Sequence, residues 1–429
     1  MKRKQLSAGR MIALGFIALI LTGTALLCLP FAQTGSQPVT ALDALFTATS
    51  AACVTGLVTV DTGTAWTLFG KTVILLLIQI GGLGVAAFGV SVTLLSGRGL
   101  GMKDRQLIKE GWNVSGYGEA SRLLGKVLLI TLCFELGGAV LSWLVFRRDY
   151  PGWQAVGMGV FHAVSAFNNA GFDVLGGMRS LTVFGDRAAI NLLTALLIVG
   201  GGLGYLAILD ILRNRRFRRL TLQTKVVLLT TAALLLGGTL LLKLTEDISW
   251  MGAFFQSVST RTAGFNTWDL TAFRPGGLLV MCILMFIGAS PGSTGGGVKT
   301  TTLFALGLSA RATATEKPPQ IFRRKVPAQV IAKAQTVVVL AFSMLLLSTL
   351  LLCICEPERG FMELLFEAVS AFATVGLSIA STPTLGLGAK LVLIVTMFVG
   401  RIGPLTVATM WTYQSRASWT YSEEGFTIG

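Results

Sequence analysis

Four segments of the chain share residue types and a spacing that could form an ion-binding site. In each, a Phe is followed ten positions later by a Gly, and then at once by Leu or Phe; the glycines are Gly56, Gly171, Gly264 and Gly376. Four such loops around one axis would present backbone carbonyl oxygens that can replace the hydration shell of an ion. Glycine suits such a loop, because it adopts positive φ angles and lets neighbouring segments approach closely. One copy would indicate only helix packing, but four copies favour an ion filter.

The predicted ligands are the carbonyl oxygens of the three residues that end at each glycine. These residues are Val54, Thr55, Gly56, Asn169, Ala170, Gly171, Thr262, Ala263, Gly264, Thr374, Val375 and Gly376. Their side chains differ among the four segments, as expected if backbone oxygens bind the ion. Oxygen ligands suit a hard alkali cation, and the lack of a carboxylate ring argues against a calcium-type filter.

A second candidate site interrupts the sixth apolar run of the chain. Its residues are Ala289, Ser290, Pro291, Gly292, Ser293, Thr294, Gly295, Gly296 and Gly297, followed by Val298 and Lys299. Glycine and proline at this density cannot continue a helix. The stretch approximates a phosphate-binding loop, but Val298 stands where that motif needs a lysine. We therefore expect a flexible loop inside the membrane that obstructs a pore and acts as its gate.

Three basic residues lie close to these two sites. Arg401 belongs to the last apolar run, where a charge costs about 2.5 to 3.5 kcal/mol and usually faces the protein interior or water. We predict that it lines the pore beside the gate loop, where it repels cations or binds loop carbonyls; the alternative is an arginine that reaches the cytoplasmic interface. Lys299 is assigned to the gate or only anchors the loop. Arg261 either braces the third filter segment or lines the outer vestibule.

The composition indicates a polytopic membrane protein. Hydrophobic residues make up 53% of the chain and charged residues 13%, and apolar runs repeatedly reach the roughly 20 residues that a spanning helix needs. Eight spans are predicted, at 11–30, 68–95, 124–146, 188–212, 226–244, 276–309, 332–354 and 386–412. Each filter segment falls between two of these spans.

The spans and filter segments predict an all-α fold of four helix, re-entrant loop, helix repeats in a pseudo-fourfold arrangement around one pore. The predicted bounds are 1–97, 98–216, 217–320 with the gate loop, 321–412, and a cytoplasmic tail at 413–429. Short helices expected at 41–52, 153–167 and 361–372 would direct the partial negative charge of their C-terminal ends at the axis, which favours a cation. Glycine-rich markers recur in the second helix of each unit and are interpreted as close helix packing.

The basic residues lie mainly in alternate loops, so the net charge of +15 does not indicate nucleic acid as a partner. They cluster before the first span and after the second, fourth and sixth, which places these loops and both termini in the cytoplasm. A single histidine and six cysteines without paired spacing indicate neither a transition-metal site nor disulfides. Because no acid, base or nucleophile set converges, the chain is not expected to be an enzyme.

Together with the four units, two long motifs, from Phe255 to Phe265 and from Ser290 to Gly297, resemble the Trk/Ktr/HKT superfamily of potassium transporters. The chain begins directly at the first unit, so the resemblance is greatest to Ktr-type membrane subunits. It implies potassium uptake across the cell membrane, with K⁺ passing the four filter segments and with the loop and Arg401 as the gate.

The same resemblance implies partners. It predicts a homodimer in membrane lipid, with one pore in each protomer, docked on a cytosolic octameric ring of the KtrA type that binds ATP or ADP. The C-terminal tail is similar to one that packs at the dimer contact. The first filter segment has Val54 and Thr55 before its glycine, which leaves open a sodium-permeable or sodium-coupled transporter of this superfamily, with Na⁺ as a coupling or activating ion.

Overall fold

The computed structural model describes residues 8–85, 87–90, 120–379 and 382–410. Within these ranges the regular structure is helical, apart from one antiparallel hairpin of β1 (Gln320–Ile321) and β2 (Arg324–Lys325). The first two predicted units contain α1 (Ala8–Leu27), α2 (Ala41–Cys53), α3 (Thr62–Ala65), α4 (Leu68–Leu83), α5 (Ala120–Phe146), α6 (Gly152–Phe167), α7 (Ala188–Leu203) and α8 (Tyr205–Asn214). The boundary predicted at 97 and the tail at 413–429 lie outside the described residues.

The third and fourth units repeat this order of elements. They contain α9 (Leu222–Thr245), α10 (Trp250–Ser259), α11 (Pro275–Phe286), α12 (Thr300–Thr315), α13 (Ala328–Cys355), α14 (Phe361–Phe372), α15 (Leu387–Ile402) and α16 (Pro404–Thr409). Each unit therefore has a long helix, a short buried helix, a loop, and an apolar helix that is followed by a break.

Four helices in the described part of the chain are long and apolar enough to cross a membrane. They are Gly9–Leu27, Leu123–Phe146, Leu222–Thr245 and Ala328–Cys355. Leu136, Leu236 and Leu350 on three of them are 58%, 73% and 57% exposed, and a helix that is apolar all round is typical of a membrane span. The pair α7 and α8 is a fifth candidate if it counts as one span. The predicted helical fold with several strongly apolar helices is therefore confirmed for the described residues, apart from the hairpin, and the eight spans in four repeats around one pore stay a prediction.

The second helix of each unit is not the continuous span that the sequence predicts. A break interrupts each of the runs predicted at 68–95, 188–212, 276–309 and 386–412. Gly84, Gly204 and Gly403 follow α4, α7 and α15 with φ angles of 88°, 88° and 97°. A right-handed helix cannot continue through a residue in this region, which glycine adopts without strain. At Gly204 the helix axis turns by 97°.

Glycines one turn earlier pack the second helices against the short helices. A Cβ on Gly81 of α4, Gly201 of α7 or Gly400 of α15 would overlap a backbone carbonyl oxygen in the last turn of the short helix of the same unit. The close packing expected of the glycine-rich markers is confirmed. The same markers also end the helices, which the sequence analysis did not predict.

Capping residues set where two of the short helices begin. At the start of α2, the backbone N–H of Asp43 donates to Thr40 Oγ1 (3.2 Å), and the Asp43 carboxylate accepts from the backbone N–H of Thr40 (3.2 Å). Before α10, Ser249 Oγ accepts from the backbone N–H of Gly252 (3.0 Å). Such bonds satisfy N–H groups that have no partner inside the helix. The start of each helix in turn sets the position of the filter segment that follows its end.

Candidate ion-conduction site

The four predicted filter segments share one backbone conformation. Their first residues adopt the left-handed region, with φ angles of 57° at Val54, 58° at Asn169, 74° at Thr262 and 51° at Thr374. The third residues also have positive φ, at 95° for Gly56, 69° for Gly171, 77° for Gly264 and 92° for Gly376. A non-glycine residue in this region costs about 1–2 kcal/mol. Because that cost recurs at the same position in four unlike sequences, the surrounding structure imposes this conformation.

The four glycines form a closed ring of neighbours. A Cβ built on Gly171 would lie 2.8 Å from the Ala263 carbonyl oxygen and 3.0 Å from Gly264 Cα. The same relation leads from Gly264 to the fourth segment, from Gly376 to the first, and from the first back to the second. The structure thus brings all four predicted segments together around one axis, and it leaves no space at any of the four glycines for a side chain.

The predicted filter segments begin one to three residues after the buried ends of the short helices. α2, α6, α10 and α14 end at Cys53, Phe167, Ser259 and Phe372. Short helices predicted at 41–52, 153–167 and 361–372 are confirmed to within one residue at each end. The C-terminal end of a helix carries a partial negative charge, so four such ends adjoin the ring.

Buried serines of the short helices hold the filter backbone. The N–H of Gly56 donates to Ser50 Oγ (3.0 Å), and the N–H of Gly376 donates to Ser370 Oγ (3.1 Å). In the second segment Ser165 Oγ donates instead to the carbonyl that follows the glycine (2.7 Å), and Ser259 does the same in the third. The serines are part of the repeated sequence pattern, but their role becomes evident only in the structure.

A loop of residues 287–299 separates α11 from α12 and contains the predicted gate segment from Ala289 to Gly297. It is bonded to the break after α7. The backbone N–H of Ser290 donates to the carbonyl of Gly202 (3.0 Å). On the other side of the break, the N–H of Tyr205 donates to the carbonyl of Gly292 (3.0 Å). The loop also lies against the filter, because Cβ atoms on Gly295 and Gly296 would overlap the hydroxyls of the first residues of the third and fourth filter segments.

Both basic residues assigned to the gate bind carbonyl oxygens. Lys299 Nζ donates to the carbonyls of Gly295 (2.6 Å) and Gly296 (3.4 Å). The Arg401 guanidinium donates to the carbonyl of Thr294 and to that of Gly81 in α4. Arg401 therefore connects the fourth unit with the loop of the third and with the first. The predicted contact of Arg401 with the loop carbonyls is found, and its place in a gate stays a prediction.

Comparison with known proteins identifies the family. The model of the family described as "TrkH: Cation transport protein" matches residues 11–245 and 220–421. The chain belongs to this family. The expectation that it is a transporter and not an enzyme is confirmed, because the family consists of cation transport proteins.

Individual relatives extend over nearly the whole length of this transporter. "Ktr system potassium uptake protein B" of Bacillus subtilis is 39% identical over 92% of this chain and 91% of its own length. "Potassium/sodium uptake protein NtpJ" of Enterococcus hirae is 36% identical over 100% of this chain and 98% of its own. The crystal structure of the potassium transporter TrkH from Vibrio parahaemolyticus superposes with a TM-score of 0.75 at 19% identity, and covers 96% of this chain and 86% of that one. At that identity the likeness concerns the fold.

The structure assigns a partner to Glu135, for which the sequence provided no role. Its Oε1 accepts from Asn168 Nδ2 (2.9 Å) and its Oε2 accepts from Gln79 Nε2 (3.3 Å). Asn168 immediately precedes the second filter segment, so a carboxylate on α5 and an amide on α4 hold the end of α6. A carboxylate inside an apolar run is itself a signal of function, but its partners are distant in sequence.

One of the two roles considered for Arg261 is not found: its side chain makes no hydrogen bond with the filter backbone in the described residues, and its Nε is buried without a partner. Arg261 lines a small cavity with Gly202 and Thr231.

Proposed function

We propose that this transporter takes up potassium across the cell membrane through the ring formed by the four filter segments. The observation that carries the proposal is the closed ring of Gly56, Gly171, Gly264 and Gly376, with the same pair of positive φ angles in every segment. Backbone oxygens held in this way can replace a hydration shell at little reorganisation cost. The four helix ends that adjoin the ring add a negative potential, which favours a cation.

The ion is proposed to be K⁺, in keeping with the printed name of the Bacillus relative. Sodium is the second candidate, because the Enterococcus relative is described as a potassium/sodium uptake protein. In either case the carbonyls of the twelve filter residues are the proposed ligands. The hydroxyls of Thr262 and Thr374 lie at the end of their segments that faces the loop.

The proposed membrane arrangement is four units with two spans each, both termini in the cytoplasm, and four short helices that enter from outside. The unit bounds proposed are 1–97, 98–216, 217–320 and 321–412, with a tail at 413–429. The repeated order of long helix, short helix, loop and broken apolar helix supports this arrangement. The basic loops between units support the orientation by the positive-inside rule.

The gate is proposed to be the segment from Ala289 to Gly297, held shut by Lys299 and Arg401. Gly295 and Gly296 lie directly against the third and fourth filter segments, so the loop occupies the path of an ion that leaves the ring. The two cations bind the loop carbonyls and add positive charge where a cation must pass. Opening requires the bonds of Arg401 to Thr294 and Gly81 to break.

Regulation is proposed to come from outside the chain. The Bacillus relative is described as part of a Ktr system, which supports a second component, and the family resemblance suggests a homodimer on a cytosolic ring that binds ATP or ADP. The nucleotide would bind to the cytosolic ring protein and not to the glycine-rich loop of this chain. That loop is already bonded to the break after α7 and to Arg401 and Lys299.

The test is cation flux into liposomes that contain only the purified full-length protein. We expect K⁺ or Rb⁺ influx with a preference over Na⁺, and faster influx when a cytosolic ring protein with bound ATP is added. Equal permeation of K⁺ and Na⁺ would favour the sodium alternative. A protein that is folded in the liposomes yet conducts neither cation, with or without the cytosolic ring protein, would refute the proposed function.

A further inference from the structure

An open groove lies between the end of α5 and the start of α7, where the chain passes from α5 into the short helix α6. Its volume is about 700 Å³. The lining residues are Leu141, Leu144, Val145, Arg148, Arg187, Ala188, Ala189 and Leu193. Leu141 and Leu144 are 49% and 38% exposed, so no described element of the chain covers these apolar walls.

The groove has an apolar part and a charged mouth, the mouth being formed by Arg148 and Arg187. The α5 side runs from Leu141 to Arg148 at helical spacing, which places its residues on one face, over about 10 Å at 1.5 Å per residue. The apolar part lies along the span Leu123–Phe146, and Arg148 lies just beyond the end of that span. Hydrocarbon therefore adjoins the apolar part, and the lipid head groups adjoin the mouth.

The mouth of the groove carries a net positive charge. Arg187 donates to both carboxylate oxygens of Asp149, with Nη2 at 2.7 Å from Oδ1, but a guanidinium has more N–H donors than one carboxylate uses. Arg148 is exposed and has no hydrogen bond or ion pair within the described residues. The hydrogen bond from Arg187, with a smaller contribution from the charge of Arg148, holds the pKa of the Asp149 carboxyl below its usual value. Two arginines therefore face one ionised carboxylate, and both have donors for a second acceptor.

A second groove, at the starts of α4 and α6, shows that an apolar wall alone does not create this charge. Its volume is about 540 Å³, and its lining includes Leu68, Lys71 and Trp153. The Lys71 ammonium donates to the backbone carbonyl of Gly63 (2.6 Å) and is thereby bound to the protein itself. Of the two grooves, the one between α5 and α7 is therefore the one whose charge is available to a ligand.

We infer that this groove binds one anionic phospholipid, with an acyl chain along Leu141, Leu144 and Leu193 and the phosphate at Arg148 and Arg187. Planar guanidinium groups suit phosphate oxygens, which they bind through paired N–H donors. None of the residues that line the groove is acidic, and Asp149 beside it is bonded to Arg187. The ammonium of a zwitterionic head group would therefore meet arginines and no free acceptor. The inference concerns lipid binding and does not depend on the proposed function.

Native mass spectrometry of the full-length protein tests the choice of head group, with phosphatidylglycerol and phosphatidylethanolamine of equal acyl chains as probes. The wild type should bind phosphatidylglycerol more tightly, and Arg148→Gln should weaken this binding by about fivefold, the contribution of one arginine beside an anionic lipid. Arg147→Gln is the matched control, because Arg147 is also exposed but lies over the Trp143 ring and does not line the groove. Equal affinity of the wild type for the two lipids, or equal phosphatidylglycerol affinity in both variants, would overturn the inference.

Electron cryomicroscopy in phosphatidylglycerol nanodiscs tests the place of the lipid. We expect density along the groove that ends at Arg148 and Arg187 in the wild type. Ala189→Phe puts a ring into the groove without changing its charge, and it should remove this density. Leu192→Phe, at a position on the same helix that is 51% exposed and outside the groove, should keep it. A wild-type groove that is empty, or is covered by a second copy of the chain, would overturn the inference even if the protein transports potassium normally.

Discussion

The filter ring and the gate loop differ in how they use the four repeated units. The ring takes one segment from each unit, and all four adopt the same backbone angles although their sequences differ. The proposed gate occurs once: the second helix is interrupted by a single glycine after α4, α7 and α15, but by a loop of residues 287–299 after α11. The ring is therefore shared among the units, whereas the proposed gate loop belongs to one of them.

This difference separates two kinds of interaction. The ring depends on backbone atoms, which tolerate changes of side chain but not the addition of a Cβ at the glycines. The proposed gate depends on two specific side chains, Lys299 and Arg401, which donate hydrogen bonds to carbonyl oxygens of the loop. Substitutions in the ring should therefore change which ion passes, whereas substitutions at the gate should change how fast ions pass.

The largest effect is expected from a side chain in the ring. In Gly376→Ser the Cβ would lie 2.8 Å from Gly56 Cα and would overlap the carbonyl of Thr55, and serine would be strained at a φ of 92°. K⁺ affinity or K⁺ over Na⁺ discrimination should fall by about tenfold or more, which corresponds to at least ~1.4 kcal/mol. Gly264→Ser should behave alike.

Growth of a potassium-uptake-deficient strain at low K⁺ and flux in liposomes would measure this change. The matched control is Gly237→Ser on α9, where an added Cβ has no neighbour within 4 Å. If both ring variants keep the K⁺ affinity and the ion preference of the wild type, the filter assignment is wrong.

The next largest effect concerns the loop itself. Deletion of Gly292 to Gly297 removes the glycines that lie against the third and fourth filter segments, and with them the carbonyls that bind Lys299 and Arg401. Flux should rise by about tenfold, equivalent to a barrier lowered by ~1.4 kcal/mol, and should depend less on a cytosolic partner. Size-exclusion chromatography would check folding. A folded deletion protein that conducts no faster than wild type would place the gate elsewhere.

Arg401 should have a smaller effect, because it supplies only part of the obstruction. Arg401→Ala removes both the charge and the bonds to the carbonyls of Thr294 and Gly81, so basal flux without the ring protein should rise several-fold. Arg401→Lys keeps the charge but loses the simultaneous bonds of the guanidinium to the two carbonyls. Because the charge remains, basal flux should stay close to the low value of the wild type. If Arg401→Ala, Arg401→Lys and the wild type show the same basal flux, Arg401 has only a structural role.

Glu135→Gln tests whether side chains behind the ring contribute to its selectivity. The two bonds from Asn168 and Gln79 go to different oxygens of Glu135. A glutamine in the same orientation has an NH2 group in place of one of them, and this group would face a donor, so one of the two bonds is lost. Loss of one charge-assisted bond costs about 1 kcal/mol more than loss of a neutral one, and K⁺ over Na⁺ discrimination should fall by up to about fivefold.

The control for this variant is Glu246→Gln. Glu246 is also a buried carboxylate, 7% exposed, and accepts from the backbone N–H of Arg274 (3.0 Å), far from the filter segments. The ratio of K⁺ to Na⁺ flux should change in Glu135→Gln and not in Glu246→Gln. A lower Tm with an unchanged flux ratio in both would limit Glu135 to stability.

The smallest effect is expected from a change of the outer pH, which would titrate a carboxylate that closely follows the second filter segment. Burial, with a smaller contribution from the charge of Asp61, raises the pKa of Asp173 to about 6. Asp173 lies two residues after Gly171, so its carboxylate attracts cations above this pH and is neutral below it. Flux should fall by about twofold as the outer pH falls from about 7 to about 5. Asp173→Asn should abolish the dependence, and Asp186→Asn, an exposed acid of the same loop, should keep it. An unchanged pH profile in Asp173→Asn would exclude this carboxylate.

Local patterns in the sequence predicted much of the site. Apolar runs and glycine spacing identified the long helices, three of the short helices and the four segments that meet in the ring, because each depends on residues that are near one another in the chain. The same local reasoning predicted that glycine and proline would break the sixth run. It failed at Gly84, Gly204 and Gly403, because an apolar composition does not reveal a single residue with positive φ.

What the sequence determined by itself was the content of each unit, since four copies of one spacing encode four similar segments. How the units meet was decided only by the tertiary structure. Three contacts join parts of the chain that no local pattern relates: the closure of the ring, the bond from Arg401 to Gly81 across 320 residues, and the bond between Glu135 and Asn168. The physical reason is that backbone conformation and burial follow from nearby residues, whereas the partner of a side chain depends on which distant surfaces pack against it.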